Sequence, residues 1–495
     1  MTEPFDNNAH SLDGLEFFFE SGLSSPFSTG DFVVLKRATD VEIIKYLGVI
    51  ESAKIVSERF PRGINKSVSG LPYANHSSVT RSEGIKGSGR ILGRIDTEKF
   101  RESSGKDSFH QFRIIKSSDD DIKKWSTYLT NRKEFSIGNF LNSQDIMVPL
   151  DSDNLSRHTF LSGQTGSGKS SAIKTILSRI LKMEDKPIII IFDLNSEYGD
   201  LCKEFNGGEN IKFVNLCPEI KNKERDELIK IDFFQMDDEW KLSIIDIDPI
   251  EDPADYYYFC NELEQFSSKQ ANGSEALKIG ELIFNLIFTS KEKKASRSGF
   301  AFDNIDLPIW NIWKSKDTRV LLDEVILGDY DLVNIDLGSI KTKIQKLAVA
   351  SFILESLWKN RETKQKFLVV IDEAHNIIPR VESNLLSKNI INRMIDIAGE
   401  GRKYGLYLFL CSQQPSKIHE NVLSLCNNLI LLQTTSTMDL EYVYSKFSSI
   451  PKSFIDKARF LKQGEAIIGG PLVKTPVFMK IDYLKEKDEQ NCVTG

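Results

Sequence analysis

One short stretch of this chain has the residue types and the spacing of a phosphate-binding loop. Residues 163 to 170 read Gly-Gln-Thr-Gly-Ser-Gly-Lys-Ser, which satisfies the pattern G-x-x-x-x-G-K-[ST]. Glycines at this spacing let the backbone curl tightly and direct its N–H groups at phosphate oxygens. Lys169 is expected to reach the β- and γ-phosphates of ATP, and the Ser170 hydroxyl is expected to bind Mg²⁺. The residues predicted to bind the nucleotide are Gly163, Thr165, Gly166, Ser167, Gly168, Lys169, Ser170 and Ser171.

A second motif carries the residues that a hydrolase needs. Residues 367 to 371 are apolar, and Asp372 and Glu373 follow them directly. In an enzyme with a phosphate-binding loop, an aspartate at a strand end holds the Mg²⁺ shell and an adjacent glutamate polarises the attacking water. The pair therefore predicts ATP hydrolysis, with Asp372 as a metal ligand and Glu373 as a catalytic base. His375 is interpreted either as a sensor of the γ-phosphate or as a structural histidine.

A third candidate is Gln413, which comes just after the apolar run from Leu406 to Cys411. A polar side chain at the end of a buried strand is suited to contact the γ-phosphate or its attacking water. Gln413 is therefore predicted to join Lys169 and Glu373 in catalysis.

These side chains can act together only if a sheet brings them to one edge. Thr159 to Leu161 form a short apolar run before the loop, and apolar residues at helical spacing follow it as far as Leu181. The continuous apolar run from Ile188 to Phe192 ends at Asp193, which is typical of a strand buried on both faces of a parallel sheet. The pattern predicts an α/β fold with a RecA-like core and a mostly parallel sheet.

Composition sets the limits of this interpretation. The chain has 495 residues, of which 40% are hydrophobic and 27% charged, as in globular proteins of two or three domains. A net charge of −7 argues against a protein that coats nucleic acid indiscriminately. The six cysteines show no C-x-x-C spacing, which favours a reducing cytosol. Neither a membrane span nor a signal peptide is recognised, so a cytoplasmic protein without a membrane role is expected.

Four regions are predicted along the chain. They are an N-terminal segment (1–28) with a short helix over Leu15 to Phe19, a small β-barrel domain (29–135) with a long loop over 60–88, the ATPase core (136–480) and a C-terminal tail (481–495). Residues 59–116 hold 12 Lys and Arg against 5 Asp and Glu, a difference of +7. This excess is interpreted either as a nucleic-acid contact or as a solvated charged rim.

A predicted helical insertion at about 232–300 interrupts the core. Its first part, from Asp232 to Asp255, holds nine acidic residues and one lysine, which indicates a solvated acidic face more than a metal site. Its last part contains Lys291, Lys293, Lys294 and Arg297. This basic run is interpreted either as a DNA-contacting pore loop or as a solvated outer loop.

Taken together, the motifs resemble those of the HerA family, in the FtsK–HerA branch of RecA-like ATPases. The resemblance covers about residues 30–480 and depends on the order of its motifs. These are Arg157-His158, Glu197-Tyr198, Asp372 to Asn376, Glu400 to Gly405, Ser412-Gln413, Leu423 to Asn427, and Gly464 to Ala466 followed by Gly469. Two positions depart from the family pattern, since Asp372 stands where glutamate is common and Gln414 where arginine is common.

The resemblance implies a function. Members of the family are typically hexameric rings that thread double-stranded DNA through a basic channel and bind ATP between subunits. They work with a separate nuclease in DNA-end processing, or with other effectors in antiviral defence. Arg402 and Arg157 resemble family arginines that face phosphates, one of them from a neighbouring subunit.

The sequence therefore predicts an ATP-hydrolysing, hexameric DNA translocase or helicase that works with a separate nuclease or other effector. No second catalytic motif such as H-E-x-x-H or G-x-S-x-G is found, so the effector chemistry is expected in another protein, docked on the β-rich region. Two alternatives stay open. One is an ATP-binding ring that mainly scaffolds and regulates its effector, and the other is a motor of the secretion or conjugation type.

Overall fold

The structure is a computed structural model, and it describes most of the chain. The described residues are 7–23, 27–38, 42–61, 79–96, 99–103, 105, 108–129, 134–199, 201, 211–218, 226–229, 238–244, 247–268, 329–340, 342–363 and 365–483. The basic run from Lys291 to Arg297 lies outside the described residues, as does part of the acidic stretch from Asp232 to Asp255.

The N-terminal strands form a closed antiparallel barrel, as predicted for this region. Its strands are β1 (Asn8–Ser11), β2 (Glu16–Gly22), β3 (Phe32–Ala38), β4 (Ile43–Pro61), β5 (Val79–Ile95), β6 (Phe100–Glu102) and β7 (Phe109–Lys116). The sheet order is β2-β1-β7-β3-β4-β5-β6, and a further pairing of β2 with β5 closes the ring. Strand β6 lies outside that ring, attached to β5.

Strand β2 corrects the helix predicted over Leu15 to Phe19. Phe17 and Phe19 are buried inside the barrel, whereas Phe18 is 44% exposed. Side chains that alternate between two faces have the period of a strand, and bulky aromatic residues favour it. Residues 8–22 thus contribute two strands to the barrel.

Strands β4 and β5 correct part of the loop predicted over 60–88, because residues 60–61 and 79–88 form strands, whereas residues 62–78 lie outside the described residues. They pair as a long ribbon from Ser52 opposite Ser88 to Pro61 opposite Val79. Serine and glycine are depleted from strands, so composition predicted a loop here. The ribbon is nevertheless paired, because the two backbones satisfy each other's hydrogen bonds.

A second core begins on the outer face of the barrel. Phe32 points away from the barrel interior and packs on Trp125 and Phe140, with ring centroids 5.4 and 5.3 Å away. The connecting elements are α1 (Asp119–Leu129), β8 (Glu134–Phe135), β9 (Gly138–Phe140), β10 (Ser143–Met147) and β11 (Leu150–Asp151), followed by a 3₁₀ turn (Ser152–Arg157). Because strand β3 is apolar on both faces, it joins the barrel to the rest of the molecule.

The C-terminal part contains one large sheet. Its further strands are β12 (Thr159–Ser162), β13 (Ile188–Asp193), β14 (Phe213–Cys217), β15 (Asp226–Leu228), β16 (Leu332–Asp336), β17 (Phe367–Ile371), β18 (Leu406–Ser412), β19 (Asn428–Leu431), β20 (Glu465–Gly469) and β21 (Val477–Ile481). The order is β10-β9-β21-β20-β19-β12-β18-β17-β13-β16-β14-β15. Strands from β19 to β15 are parallel, and β20, β21, β9 and β10 extend the sheet in antiparallel fashion.

Helices accompany this sheet. They are α2 (Lys169–Leu181), α3 (Asp238–Ile244), α4 (Pro253–Ser268), α5 (Lys343–Lys359), α6 (Leu385–Glu400), α7 (Glu420–Ser424), α8 (Thr437–Lys446) and α9 (Lys452–Lys457). Helices α3 and α4 lie in the predicted insertion. No helix in the described ranges is long and apolar enough to cross a membrane. The predicted RecA-like α/β class with a mostly parallel sheet is confirmed.

His158, which precedes β12, connects three parts of the core. Its Nδ1 accepts a hydrogen bond from the Leu408 N–H at 3.0 Å, so its Nε2 carries the proton and donates to the Ala398 carbonyl at 3.0 Å. The side chain is 3% exposed. Burial lowers the pKa of His158 to about 4, and the nearby positive charge of Arg402 acts in the same direction.

His158 should therefore make stability depend on pH. Since its pKa is about 4 in the folded chain against 6.5 in the unfolded chain, it stabilises the fold fully above pH 6.5 and loses that contribution as the pH falls towards 4. The loss should reach about 3 kcal/mol. Thermal unfolding of the wild type and of His158→Gln, measured from pH 7 to pH 4, should show a shallower dependence in the variant. Equal slopes would contradict the assignment, and the exposed His110→Gln serves as the control.

Candidate nucleotide site

The phosphate-binding loop lies between β12 and α2, at the carboxyl edge of the sheet. All four residues of β12 are buried, and parallel strands β18 and β19 pair with it on either side. Gly168 has φ 94°, a left-handed conformation that side chains disfavour. An ideal Cβ at residue 163 would lie 2.5 Å from Ser167 Oγ, so glycine alone fits there. The sequence pattern and the turn geometry therefore agree.

Lys169 lies where this loop meets the end of β17. Its Nζ is 3.3 Å from Asp372 Oδ1 and also pairs with Glu373 Oε1. The three residues are 8%, 1% and 6% exposed, respectively. Burial acts to lower the pKa of Lys169, but the two carboxylates outweigh it and the net pKa is raised. The ammonium group stays charged at neutral pH and is available for phosphate.

Asp372 is fixed by its neighbours before any metal binds. Its Oδ1 accepts the Glu373 N–H at 2.9 Å, and its Oδ2 accepts the Tyr198 hydroxyl at 3.3 Å. Burial raises the pKa of Asp372, and the adjacent negative charge of Glu373 raises it further, against the opposing effect of Lys169. Two carboxylates thus share one ammonium group, which leaves a surplus of negative charge.

Gln413 connects Glu373 to the phosphate-binding loop. Its Nε2 donates to Glu373 Oε1 at 2.7 Å, and its Oε1 accepts the Thr165 hydroxyl at 2.7 Å. Glu373 itself has φ 46° and ψ 49°, a left-handed conformation that is uncommon for a residue with a side chain. The strands β17 and β18 end side by side, and this brings the two residues together.

His375 lies one turn beyond Glu373, at the rim of the same group. Its Nδ1 is 3.4 Å from Glu373 Oε2 and 3.1 Å from Ser412 Oγ. Burial lowers the pKa of His375, and the carboxylate of Glu373 opposes that shift. The contact with Glu373 fits the interpretation as a sensor, and the contact with Ser412 fits the structural one.

The donor set fits ATP with Mg²⁺. The first N–H groups of α2, from Lys169 onwards, have no partner within the helix and point at the loop, where the helix dipole favours an anion. Ser170 is half-buried beside Lys169, and Asp372 supplies a carboxylate oxygen. A hydroxyl, a carboxylate and a local surplus of negative charge suit a hard divalent cation.

Sequence reasoning missed the residues that position this group. Tyr198 is fully buried and donates to Asp372. Its backbone N–H in turn donates to Asp193 Oδ2 at 2.9 Å, and Asn334 donates to the same carboxylate at 3.4 Å. Burial raises the pKa of Asp193, which these donors oppose. The sequence signals were the carboxylate at the end of β13 and the Glu197-Tyr198 motif, and neither was assigned a role at the site.

Arg157 and Arg402 lie at the opposite edge of the sheet from the loop. Arg157 precedes β12 and Arg402 precedes β18, whereas the loop and Gln413 follow those strands. At about 3.3 Å per residue, the length of β18 separates the two edges by about 23 Å. Arg402 is exposed, and neither arginine forms an ion pair within the described part of the chain. Neither residue can reach the phosphate-binding loop of its own chain.

A cavity of about 340 Å³ opens at this opposite edge. Its lining includes Asp153, Glu184 and Asp185, together with Lys366 and Tyr407. Lys366 pairs with Asp185, so two carboxylates have no cation within the lining. Negative charge repels phosphate, and this cavity is therefore not a second nucleotide site.

The acidic stretch provides turn contacts where it is described. Asp248 Oδ1 accepts the backbone N–H groups of Ile250 at 2.7 Å and Glu251 at 3.2 Å. No group of three or more His, Cys, Asp or Glu residues is placed to hold a metal ion anywhere in the described ranges.

Comparison with known proteins agrees with the site. Residues 135–357 match the family "Helicase HerA, central domain". A curated DNA double-strand break repair helicase HerA from Sulfurisphaera tokodaii is 28% identical over 370 residues, covering 71% of this chain and 70% of that protein. The Pyrococcus furiosus protein of the same name is 23% identical and covers 94% of this chain and 90% of that protein.

A solved structure supports the fold. The bacterial conjugative coupling protein TrwBdeltaN70 superposes with a TM-score of 0.51 at 15% identity, covering 73% of this chain and 92% of that protein. At this identity the likeness shows a shared RecA-like fold. The family match, the curated relatives and the geometry around Lys169 together show that residues 135–357 resemble the central domain of HerA helicases and that the chain is an ATPase.

Proposed function

We propose that this chain is an ATP-driven translocase of double-stranded DNA, active in the cytoplasm as a hexameric ring of identical subunits. It works beside a separate nuclease or another effector, in DNA-end processing or antiviral defence. The observation that supports the motor chemistry best is the contact of Lys169, Asp372, Glu373 and Gln413 at the ends of β17 and β18. The curated relatives named DNA repair helicases support DNA as the substrate.

In this mechanism the side chains exchange partners when ATP binds. The γ-phosphate competes with Glu373 for Lys169, because a phosphate carries more negative charge than one carboxylate. Glu373 is then released to orient and polarise a water molecule. Gln413 contacts both Glu373 and Thr165, so it connects this base to the loop that binds the phosphates. Ser170 and Asp372 would hold Mg²⁺, which neutralises charge on the phosphate oxygens.

The two arginines at the opposite edge of the sheet support an assembly of subunits into a ring. A guanidinium group stabilises the charge that develops in phosphoryl transfer, and it can be supplied by another subunit. Arg157 and Arg402 are about one strand length from the phosphate-binding loop of their own chain, so we propose that they face the nucleotide of a neighbouring copy. On this proposal each nucleotide site is completed only by a second subunit.

The effector is proposed to dock on the barrel. Part of the barrel surface packs on the core through Phe32 and is not free. Among the described residues, the outer face of β1, β2 and β7 carries the exposed side chains of His10, Phe18 and His110, with His10 stacked on Phe18 at 5.7 Å. Exposed aromatic side chains are enriched in protein interfaces, which makes this face the proposed docking surface.

The catalytic assignment is tested by Glu373→Gln. The amide keeps the size of the side chain but cannot take a proton, so ATP turnover should fall by a factor of about 10² to 10⁴ while ATP binding is kept. Lys169→Ala should instead weaken ATP binding itself, because it removes the phosphate contact. Turnover and equilibrium binding are measured for both, with the exposed Glu382→Gln as the matched control. Normal turnover in Glu373→Gln would contradict the proposal.

The action of Arg402 across subunits is tested by mixing. Arg402→Ala should keep ATP binding and lower hydrolysis by about a thousandfold if the guanidinium stabilises the transition state. Mixed rings of Arg402→Ala and Lys169→Ala contain interfaces with an intact loop from one subunit and an intact arginine from the next. ATPase activity should therefore reappear on mixing. No recovery would argue for a local role, and Lys403→Ala, which removes an adjacent exposed charge, is the control.

The DNA substrate is tested by stimulation of turnover. Linear duplex DNA should raise the ATPase rate more than single-stranded DNA of the same length, and the effect should weaken as salt rises because phosphate contacts release counterions. If neither nucleic acid stimulated the ATPase rate, the proposal that the chain is a DNA translocase would be contradicted. If Glu373→Gln then still supported its effector in cells, the chain would be a scaffolding ring.

A further inference from the structure

Tyr483 lies at the same edge of the sheet as the phosphate-binding loop. Strand β21 is antiparallel to β20, which is antiparallel to β19, and β19 is parallel to β12. The residues that follow β21 therefore emerge on the side where the loop follows β12. Tyr483 comes two residues after β21 and is 47% exposed.

A single glycine separates Tyr483 from the loop. The Gly464 N–H donates to the Ser167 carbonyl at 3.0 Å, and an ideal Cβ on Gly168 would lie 3.3 Å from Gly464 N. On its other side, an ideal Cβ on Gly464 would lie 2.5 Å from the Tyr483 hydroxyl and 3.0 Å from Cζ. Gly464 also has φ 73°, so a side chain there is disfavoured twice. The tyrosine ring and the loop thus contact opposite sides of one residue.

One face of helix α2 contacts Asp482, the residue before Tyr483. The Thr175 hydroxyl donates to the Asp482 carbonyl at 2.8 Å, and Arg179 pairs with the Asp482 carboxylate at 3.2 Å. Residues four apart lie on one face of a helix, so Ser171 is one turn from Thr175 on this face, nearer to the loop. Ser171 is exposed. A base that extended from phosphates in the loop along this face of α2 would run towards Tyr483.

No hydrogen bond of the Tyr483 side chain within the described residues explains its position. Within the described residues its hydroxyl donates no hydrogen bond, and the residue as a whole is 47% exposed. Lys480 lies near the ring, with Nζ 5.9 Å from the centroid. An exposed ring with a cation nearby is suited to stacking with a flat, electron-rich partner.

We propose that Tyr483 forms one wall of the nucleobase site and stacks on the purine of bound ATP. This inference rests on the nucleotide part of the proposed function and is independent of what the motor moves. The loop binds phosphates and makes no distinction between bases, whereas a ring beside Ser171 adds affinity for a nucleoside. Stacking is tolerant of base identity, so this contact does not by itself select adenine over other bases.

The test compares ATP with inorganic triphosphate, which has phosphates but no base. Equilibrium binding of both ligands is measured by calorimetry on the full chain, without DNA, for the wild type, Tyr483→Ala and Tyr483→Phe. Tyr483→Ala should weaken ATP binding about tenfold and leave triphosphate binding unchanged. Tyr483→Phe keeps the ring and should bind ATP like the wild type. Tyr257→Ala, which removes an exposed tyrosine ring from helix α4, is the matched control.

Two outcomes would overturn the inference. Equal loss of ATP and triphosphate binding in Tyr483→Ala would mean that the ring acts by supporting Gly464 and the loop. Unchanged ATP binding would mean that the base lies elsewhere. Neither outcome depends on turnover or on DNA, so a failure here is distinct from a failure of the translocase.

Discussion

Lys169, Asp372 and Glu373 form a buried group of paired charges, and most of the C-terminal sheet serves to hold these three side chains together. Charges removed from water are costly unless they are paired, and here one ammonium group must compensate two carboxylates. The imbalance makes the site receptive to a cation and to an anion that can replace Glu373 at Lys169. Loss of Lys169 would leave two uncompensated carboxylates at the end of β17, whereas loss of either carboxylate would leave one balanced ion pair.

The surroundings of this group restrict its movement. Tyr198 holds Asp372, Asp193 holds the turn that carries Tyr198, and Gln413 ties Glu373 to the loop. The contacts of Tyr198 with Asp372 and of Gln413 with Glu373 join the ends of different strands, so the geometry depends on the sheet remaining rigid. The left-handed conformation of Glu373 is maintained by the same contacts. A preorganised base needs little rearrangement when the substrate arrives.

The two edges of the sheet have different chemistry. The carboxyl edge contains the loop, the acidic pair and Tyr483, whereas the opposite edge contains His158, Arg157 and Arg402. His158 fixes the start of β12 to β18, and Arg402 lies close enough to influence its pKa. A strand has two ends that cannot meet, so chemistry that needs both edges requires two chains. This separation is the physical basis for expecting a ring.

The sequence alone predicted those features that depend on neighbouring residues along the chain. The glycines of the loop indicate its backbone conformation, and the apolar runs in β13 and before Asp372 indicate burial. The α/β class and the position of the phosphate-binding loop between β12 and α2 were therefore predictable. Strands β1 and β2 were not, because a short period-two pattern within seven residues is easily taken for a helix.

Tertiary structure alone decided the contacts between distant segments. Tyr198 meets Asp372 across 174 residues, Gln413 meets Thr165 across 248, and Tyr483 reaches the loop only because β20 and β21 turn back along the sheet. The position of Arg402 at the edge away from its own loop follows from strand direction. No local pattern encodes such distances, because strand order and direction are set when the whole sheet buries its apolar faces.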